Sequence, residues 1–202
     1  MYLKVRRVVD IVLSSAGLIV LSPLFLALTV GIKLDSKGPI FFKQKRVGIH
    51  KSHFNILKFR TMRIDTPKDT PTHLLDNPDQ WITRMGKFLR KTSLDELPQI
   101  INILKGEMSI IGPRPALWNQ YDLIAERDKY GANDIPPGLT GWAQIKGRDT
   151  ITIEDKSRYD GDYVKQIGCG MDIKCFCGTI VSVLKKDGVL EGGPVVEKET
   201  AV

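Results

Sequence analysis

The chain is short of the residues that build most cofactor and metal sites. It has three cysteines, Cys169, Cys175 and Cys177, and three histidines, His50, His53 and His73. An odd cysteine set at this spacing is neither a disulfide framework nor a zinc site, so the thiols are read as reduced, in a cytoplasmic compartment. His50 and His53 lack an acidic or cysteine neighbour to complete a metal site and read as surface-loop residues. Neither a Rossmann nor a P-loop glycine pattern occurs, and there is no internal repeat. Aromatic residues are only 7% and the basic residues are scattered, which argues against a nucleic-acid partner. Only one stretch is apolar for long enough to cross a bilayer, which excludes a polytopic membrane protein. Acidic residues are outnumbered, 23 against 30 Lys and Arg, leaving a formal charge of +7. That balance favours an anionic partner. With 202 residues, 42% of them hydrophobic, the chain suits one domain with an appendage and is not a disordered chain.

What is present begins with the apolar stretch. Ile11 to Ile32 holds no charged residue, Lys4, Arg6 and Arg7 precede it, and Lys33, Lys37, Lys43, Lys45 and Arg46 follow it. The run is too long for a signal-peptide core, and basic residues stand where a cleavage site would be. It is apolar almost all round, unlike a core helix with one polar face, so membrane insertion is expected. Basic flanks on both sides place both ends in the cytoplasm by the positive-inside rule. Pro23 cannot donate a backbone hydrogen bond to Ile19, and Ser22 can satisfy a carbonyl one turn back. Ser22-Pro23 is therefore expected to kink the helix. The residues alone leave two alternatives, a helix–break–helix that re-enters one face and a kinked full span.

The remainder reads as α+β. Pro39–Lys43 and Phe54–Met62 are strand-prone, with a turn over Arg46–His50 between them. Ile64–Gln80 reads as a loop and Ile82–Arg90 as a short basic helix. Pro98–Lys105 is a helix stopped by Gly106, and Leu117–Tyr130 and Thr152–Gln166 are further helices. Asp172–Lys186 is an amphipathic helix, and 191–202 a tail. The basic Ile82 and Asp172 helices suit either a membrane face or a solvated one.

Two short stretches carry chemistry. In Ser93-Leu-Asp-Glu-Leu-Pro98, a capping box from Ser93 to Glu96 is disfavoured by Pro98, whose missing N–H would already be needed. Placing Asp95 at or near the helix start puts Pro98 in the first turn, where it is tolerated. Asp95 then serves either as a plain cap or as a nucleophile or Mg2+ ligand, with Glu96 as a second carboxylate. A positive helix end would favour its ionised form. In Gly112-Pro-Arg-Pro115, two prolines present the Arg114 guanidinium with little entropy to lose, which suits phosphate. Lys58, Arg60, Arg90 and Arg148 are further cations, and Asp160 and Asp172 further acids without a decisive local signal. Gly138, Gly141 and Gly147 in Gly138–Arg148 permit close backbone approach.

Taken in order, Ser22-Pro23, Lys58–Met62, Ser93–Pro98, Gly112–Pro115 and Gly138–Gln144 resemble the bacterial sugar transferase family, the monotopic phosphoglycosyl transferases that begin polysaccharide and glycoprotein assembly. The match runs from about Lys4 to Gly188, and the chain resembles the small members of the family, such as the Campylobacter type. The resemblance implies a re-entrant membrane helix over 1–35 broken at Ser22-Pro23, a catalytic domain of short strands and amphipathic helices over 36–188, and a tail over 189–202. It implies transfer of a phosphosugar from a UDP-sugar to polyprenyl (undecaprenyl) phosphate, with release of UMP, at the cytoplasmic face of the bacterial inner membrane. Asp95 matches the family's nucleophile, which forms a covalent phosphosugar intermediate, and Glu96 the second acid of the dyad. Mg2+ is implied, held near the dyad with Asp95 as its ligand. Lys58, Arg60, Arg90, Arg114, Arg148 and Asp160 are assigned to phosphate or substrate binding. The resemblance leaves a homodimer open. Two departures put the sugar in question: Asp149 stands where the family commonly has Asn, and the tail differs. The competing expectation is a membrane-anchored, non-catalytic binding module with a basic face.

Overall fold

The computed structural model describes residues 2–66, 78–147 and 151–185. Arg148, Asp149 and the tail over 189–202 lie outside the described residues, as does much of the expected loop after Ile64. The apolar stretch forms one helix, α1 (Tyr2–Asp35, 34 residues), with Pro23 inside it. The expected break is thus not a loop between two helices. Ser22 Oγ donates to Ile19 O at 2.8 Å, the carbonyl that proline leaves without its amide partner. Ile19, Val20 and Leu26 are two-thirds or more exposed, so one face of the middle of α1 is open, while Leu24 and Phe25 on another face pack toward Phe59. Its two ends behave differently. Arg6, Asp10 and Ser14 are buried near one end, and Leu28 and Ile32 near the other.

An antiparallel hairpin follows, β1 (Phe41–Val47) and β2 (His53–Phe59), with Phe41 opposite Phe59 and Val47 opposite His53. The turn falls at 48–52, later than the expected one at Arg46–His50. Arg46 and Val47 stay extended because tertiary partners hold them there: Val47 N donates to Ala116 O at 2.9 Å, and Arg46 bridges to Leu117. Phe59 packs with Leu28, Ile32 and Leu89, so the hairpin seats one end of α1. Two short helices come next, α2 (Arg84–Lys91), capped by Thr83, and α3 (Gln99–Lys105). Gly106 takes the left-handed conformation (φ 86°) that ends α3, as expected from its position. Asn102 of α3 reaches back to β2, accepting from Leu57 N at 2.9 Å and donating to Asn55 O at 2.8 Å.

The rest is helical apart from two three-residue strands, β3 (Ser109–Ile111) and β4 (Gly138–Thr140), which pair in parallel. Neither is long enough to show a sequence period. Between them lies α4 (Tyr121–Asp128), shorter than expected because Leu117 bridges to Arg46 and its N–H is taken by the Gln120 side chain. After them come α5 (Trp142–Lys146), α6 (Ile153–Lys165, capped by Thr152) and α7 (Cys169–Lys185). Ile111, Ile135, Tyr163, Met171 and Cys175 form the core between β3, α6 and α7. The arrangement is α+β with an apolar N-terminal helix, in agreement with the sequence reading.

Candidate active site

Three separate segments bring charged side chains to one place: the end of β2, the turn before α3 and the loop after β3. Lys58 is the penultimate residue of β2. Asp95 and Glu96 lie in the 3-10 turn Leu94–Glu96, which runs through Leu97 and Pro98 into α3. Ser93, before the turn, has left-handed backbone (φ 55°) and its side chain caps nothing, so the capping box does not form. Pro98 occupies the N-cap position of α3. Asp95 therefore precedes the helix by more than the expected reading allowed, and neighbouring cations rather than the helix end compensate its charge.

The two carboxylates are treated unequally. Glu96 Oε1 accepts from Lys58 Nζ at 2.8 Å and from Arg114 Nη2 at 2.7 Å, and Arg114 Nη1 lies 3.4 Å from Oε2. This two-pronged grip is the geometry in which arginine holds a carboxylate most firmly. Burial works against the Glu96 charge, yet Arg114 and Lys58 outweigh it and hold the carboxyl well below its ordinary range. The ion-pair partner of Asp95 among the described residues is Lys58, 3.6 Å from Oδ2. Among the described residues its carboxylate accepts no hydrogen bond. Burial pushes its pKa up, Lys58, Arg90 and Arg114 pull it down, and the neighbouring Glu96 charge pushes it up again; the net direction is upward. One carboxylate is locked and ionised, and its neighbour is left basic with open lone pairs. That is the asymmetry a nucleophile needs beside a structural acid.

The Arg114 loop is held from behind. Gly112 N donates to Thr140 O and Gly138 N to Pro113 O, both at 2.8 Å. A side chain on Gly138 or Gly141 would run into the Gly112 backbone. These glycines serve the close approach of the two motif backbones to each other. Arg127 Nη1 donates to the Arg114 carbonyl at 2.9 Å, while its Nη2 and Nε reach Asp160 Oδ2 at 2.6 and 2.8 Å. Arg46, which the sequence reading placed in a turn, also reaches this loop, donating to Pro115 O at 3.1 Å. Burial and the Arg114 charge lower its pKa, while the Glu96 charge raises it. Its alternation with Val47 along a β-prone run was the signal that could have revealed it.

The structure brings Asp95, Glu96, Lys58 and Arg114 together, with Arg90 close enough to act on Asp95. Arg90 also donates from Nε to Thr61 Oγ1 at 3.0 Å. Two assigned residues are elsewhere. Arg60 is 5% exposed and donates to Ser36 O at 2.8 Å and to Lys37 O, so it fastens the end of α1 to β2. Asp160 is 1% exposed and paired with Arg127, which places it one step behind the Arg114 loop. Both were read as substrate ligands from residue type alone; distant partners engage them. Arg148 lies outside the described residues, and Ser22 and Pro23 lie in the exposed middle of α1.

Among the described residues no three His, Cys, Asp or Glu side chains converge on a metal position. The available donors are two hard carboxylates, one committed to Arg114 and Lys58 and one open. That set suits Mg2+, which keeps water and substrate phosphate among its ligands and takes one or two carboxylates from the protein.

Comparison with known proteins identifies the family. The family model for bacterial sugar transferases matches residues 1–186. The chain is 38% identical over 190 residues to a UDP-glucose:undecaprenyl-phosphate glucose-1-phosphate transferase of Xanthomonas campestris pv. campestris, covering 91% of this chain and 39% of that protein. It is 38% identical over 185 residues to an uncharacterized sugar transferase, EpsL, of Bacillus subtilis (strain 168), covering 91% of this chain and 89% of that one. It is also 36% identical to a UDP-N-acetylgalactosamine-undecaprenyl-phosphate N-acetylgalactosaminephosphotransferase of Aeromonas hydrophila, over 91% of this chain and 44% of that protein. The chain thus spans less than half of two of these relatives and most of the third. On the family match over nearly its whole length, the chain belongs to the bacterial sugar transferases.

Proposed function

We propose that the chain transfers a phosphosugar from a UDP-sugar to polyprenyl phosphate, giving polyprenyl-diphosphate sugar and UMP. The observation that carries this is the unequal pair, Asp95 open beside a locked Glu96. An Asp95 oxygen attacks the phosphorus that bears the sugar, the bond from that phosphorus to the UMP oxygen breaks, and UMP leaves. A phosphate oxygen of the lipid then attacks the same phosphorus, the bond to Asp95 breaks, and the carboxylate is restored. Carboxylate attack on a diphosphate brings like charges together, and Lys58, Arg90 and Arg114 are the described cations that offset this. Mg2+, held by Asp95 and diphosphate oxygens, would supply further charge neutralisation. The names of the Xanthomonas and Aeromonas relatives support the substrate class and differ in the sugar.

The proposal includes re-entry of α1 from one face. A straight helix of its length would be about 50 Å long and could cross a hydrocarbon layer of about 30 Å. Its attachments argue otherwise. Arg7 donates to Leu104 O at 2.7 Å near one end, and Asp35 accepts from Met85 N at 2.9 Å at the other. Both ends are fastened to one folded body, so both lie on the side that body occupies. The basic flanks make that the cytoplasmic face of the inner membrane. In a Cys169→Ser/Cys177→Ser background, cysteines placed at Lys4 and at Lys37 are expected to react with a membrane-impermeant reagent from the same side. Reaction from opposite sides would mean a full span.

Purified protein, Mg2+, polyprenyl phosphate and a panel of UDP-sugars test the reaction. UMP released with one sugar is the expected result. UDP would mean that the sugar alone moves. Silence from folded, membrane-bound protein across a broad panel would favour the non-catalytic binding module.

A further inference from the structure

The first turns of α1 carry an ionisable pair that membrane attachment alone does not require. Arg6 and Asp10 are 6% and 5% exposed, on a helix whose other large side chains mostly face outward. Buried charge at the edge of a membrane segment is costly and is retained where it has specific partners. Here the partners are the whole of β3. Asp10 Oδ2 accepts from Ser109 Oγ at 2.7 Å and Oδ1 from Ile110 N at 3.1 Å. Arg6 Nε donates to Ser109 Oγ at 2.8 Å, and its Nη2 donates to Ile111 O. The remaining arm, Nη1, donates to Tyr163 OH at 3.0 Å, and Tyr163 OH donates to Asp172 Oδ1 at 2.6 Å. Asp172 Oδ2 in turn accepts from Tyr2 OH at 2.5 Å. Two side chains of the membrane helix thus touch each residue of a three-residue strand, and the next residue is Gly112, the start of the Arg114 loop.

We propose that Arg6 and Asp10 are positioning residues for Arg114: through β3 they transmit the seating of α1 to the guanidinium that faces the donor diphosphate. This rests on the reading of Arg114 as a phosphate ligand given above. A strand of three residues has little register of its own, and its pairing with β4 fixes it from one side only. Misplacement of a charged ligand by about 1 Å can cost about 100-fold in rate. Arg6 and Asp10 need no contact with substrate to have such an effect.

The test uses the full chain in phospholipid nanodiscs. Asp10→Asn, which keeps an acceptor for Ile110 N, and the harsher Asp10→Ala and Arg6→Lys are each made in the native and in an Arg114→Lys background. For Asp10→Asn we expect kcat/KM for the UDP-sugar to fall about tenfold, through KM for that substrate, with KM for polyprenyl phosphate unchanged. In the Arg114→Lys background the same change should cost less than about threefold, because coupled positions are not additive. Amide hydrogen exchange over 109–114 should rise in Asp10→Asn while 41–59 stays protected. Asp35→Asn, at the other end of α1, should leave 109–114 unchanged. Equal losses in both backgrounds, unaltered exchange over 109–114, or equal loosening by Asp35→Asn would each overturn the proposal. Absence of turnover by the unsubstituted chain would overturn the functional reading instead, and the exchange measurement would still decide this one.

Discussion

Asp95→Asn is expected to abolish UMP release while leaving the protein at least as stable as before. Loss of a nucleophile typically costs about 10^4-fold or more in turnover, and an amide cannot form the acyl phosphate, the mixed anhydride that a carboxylate makes with phosphorus. Stability should move the other way. Burial raises the Asp95 pKa in the folded protein, and the Glu96 charge adds to it, against the pull of Lys58, Arg90 and Arg114. A carboxyl whose folded value lies above its unfolded value opposes folding wherever it is ionised. The cost is absent below the unfolded value of about 3.9 and complete once pH exceeds the folded value. Asn removes that cost at neutral pH, and Lys58 and Arg114 remain paired with Glu96. Activity and melting measured on the same preparation give the answer. Quenched-reaction mass spectrometry should also find a phosphosugar adduct in the native chain and none in Asp95→Asn. An adduct on another residue would refute the assignment.

Arg127→Met should be the most destabilising of the simple substitutions near the site. Arg127 is 4% and Asp160 1% exposed in their side chains, and among the described residues Asp160 Oδ1 has no hydrogen-bond partner. Burial already pushes the Asp160 pKa up, with Arg127 opposing it. Removing the arginine strands a buried carboxylate, a change that typically costs about 3–5 kcal/mol. The double substitution Arg127→Met/Asp160→Leu should recover most of the stability, since an apolar pair of similar volume often replaces a buried ion pair without loss. It should not recover activity, because the hydrogen bond from Arg127 to the Arg114 carbonyl is still missing. Full activity in the double variant would mean that the Arg114 loop does not depend on Arg127. A melting loss under about 1 kcal/mol in Arg127→Met would contradict the buried-pair account.

The sequence was most readable where the chemistry is local. Pro98 ruled out a cap on Ser93, the paired prolines announced a rigid Arg114, and Thr152 and Gly106 marked helix ends within a residue. It was least readable where a partner lies far along the chain. Arg60 has the residue type of a phosphate ligand and Asp160 carries no decisive local signal, yet their partners are the carbonyls of Ser36 and Lys37 and the guanidinium of Arg127, and no local period predicts such pairs. Arg46 was hidden for a related reason. Arg-Val-Gly-Ile-His has turn composition, and contacts with 115–117, added to the pairing with β2, keep its first two residues in β1. The β3–β4 pair is too short to leave any pattern beyond its glycines.

The fastening of α1 also bears on the order in which the protein can be made. Arg6 meets Ser109 and Tyr163 across separations of 103 and 157 residues, and Tyr2 meets Asp172 across 170. During synthesis α1 emerges long before any of these partners exist. It must reach the lipid with Arg6 and Asp10 still hydrated, which suits their place in its first turns rather than its middle. Only when α7 has left the ribosome can the last hydrogen bonds close. Contacts so distant in sequence form slowly. A chain halted before residue 172 would hold the partners of Arg6 and Asp10 in β3, while Tyr2 and Tyr163 would still lack Asp172.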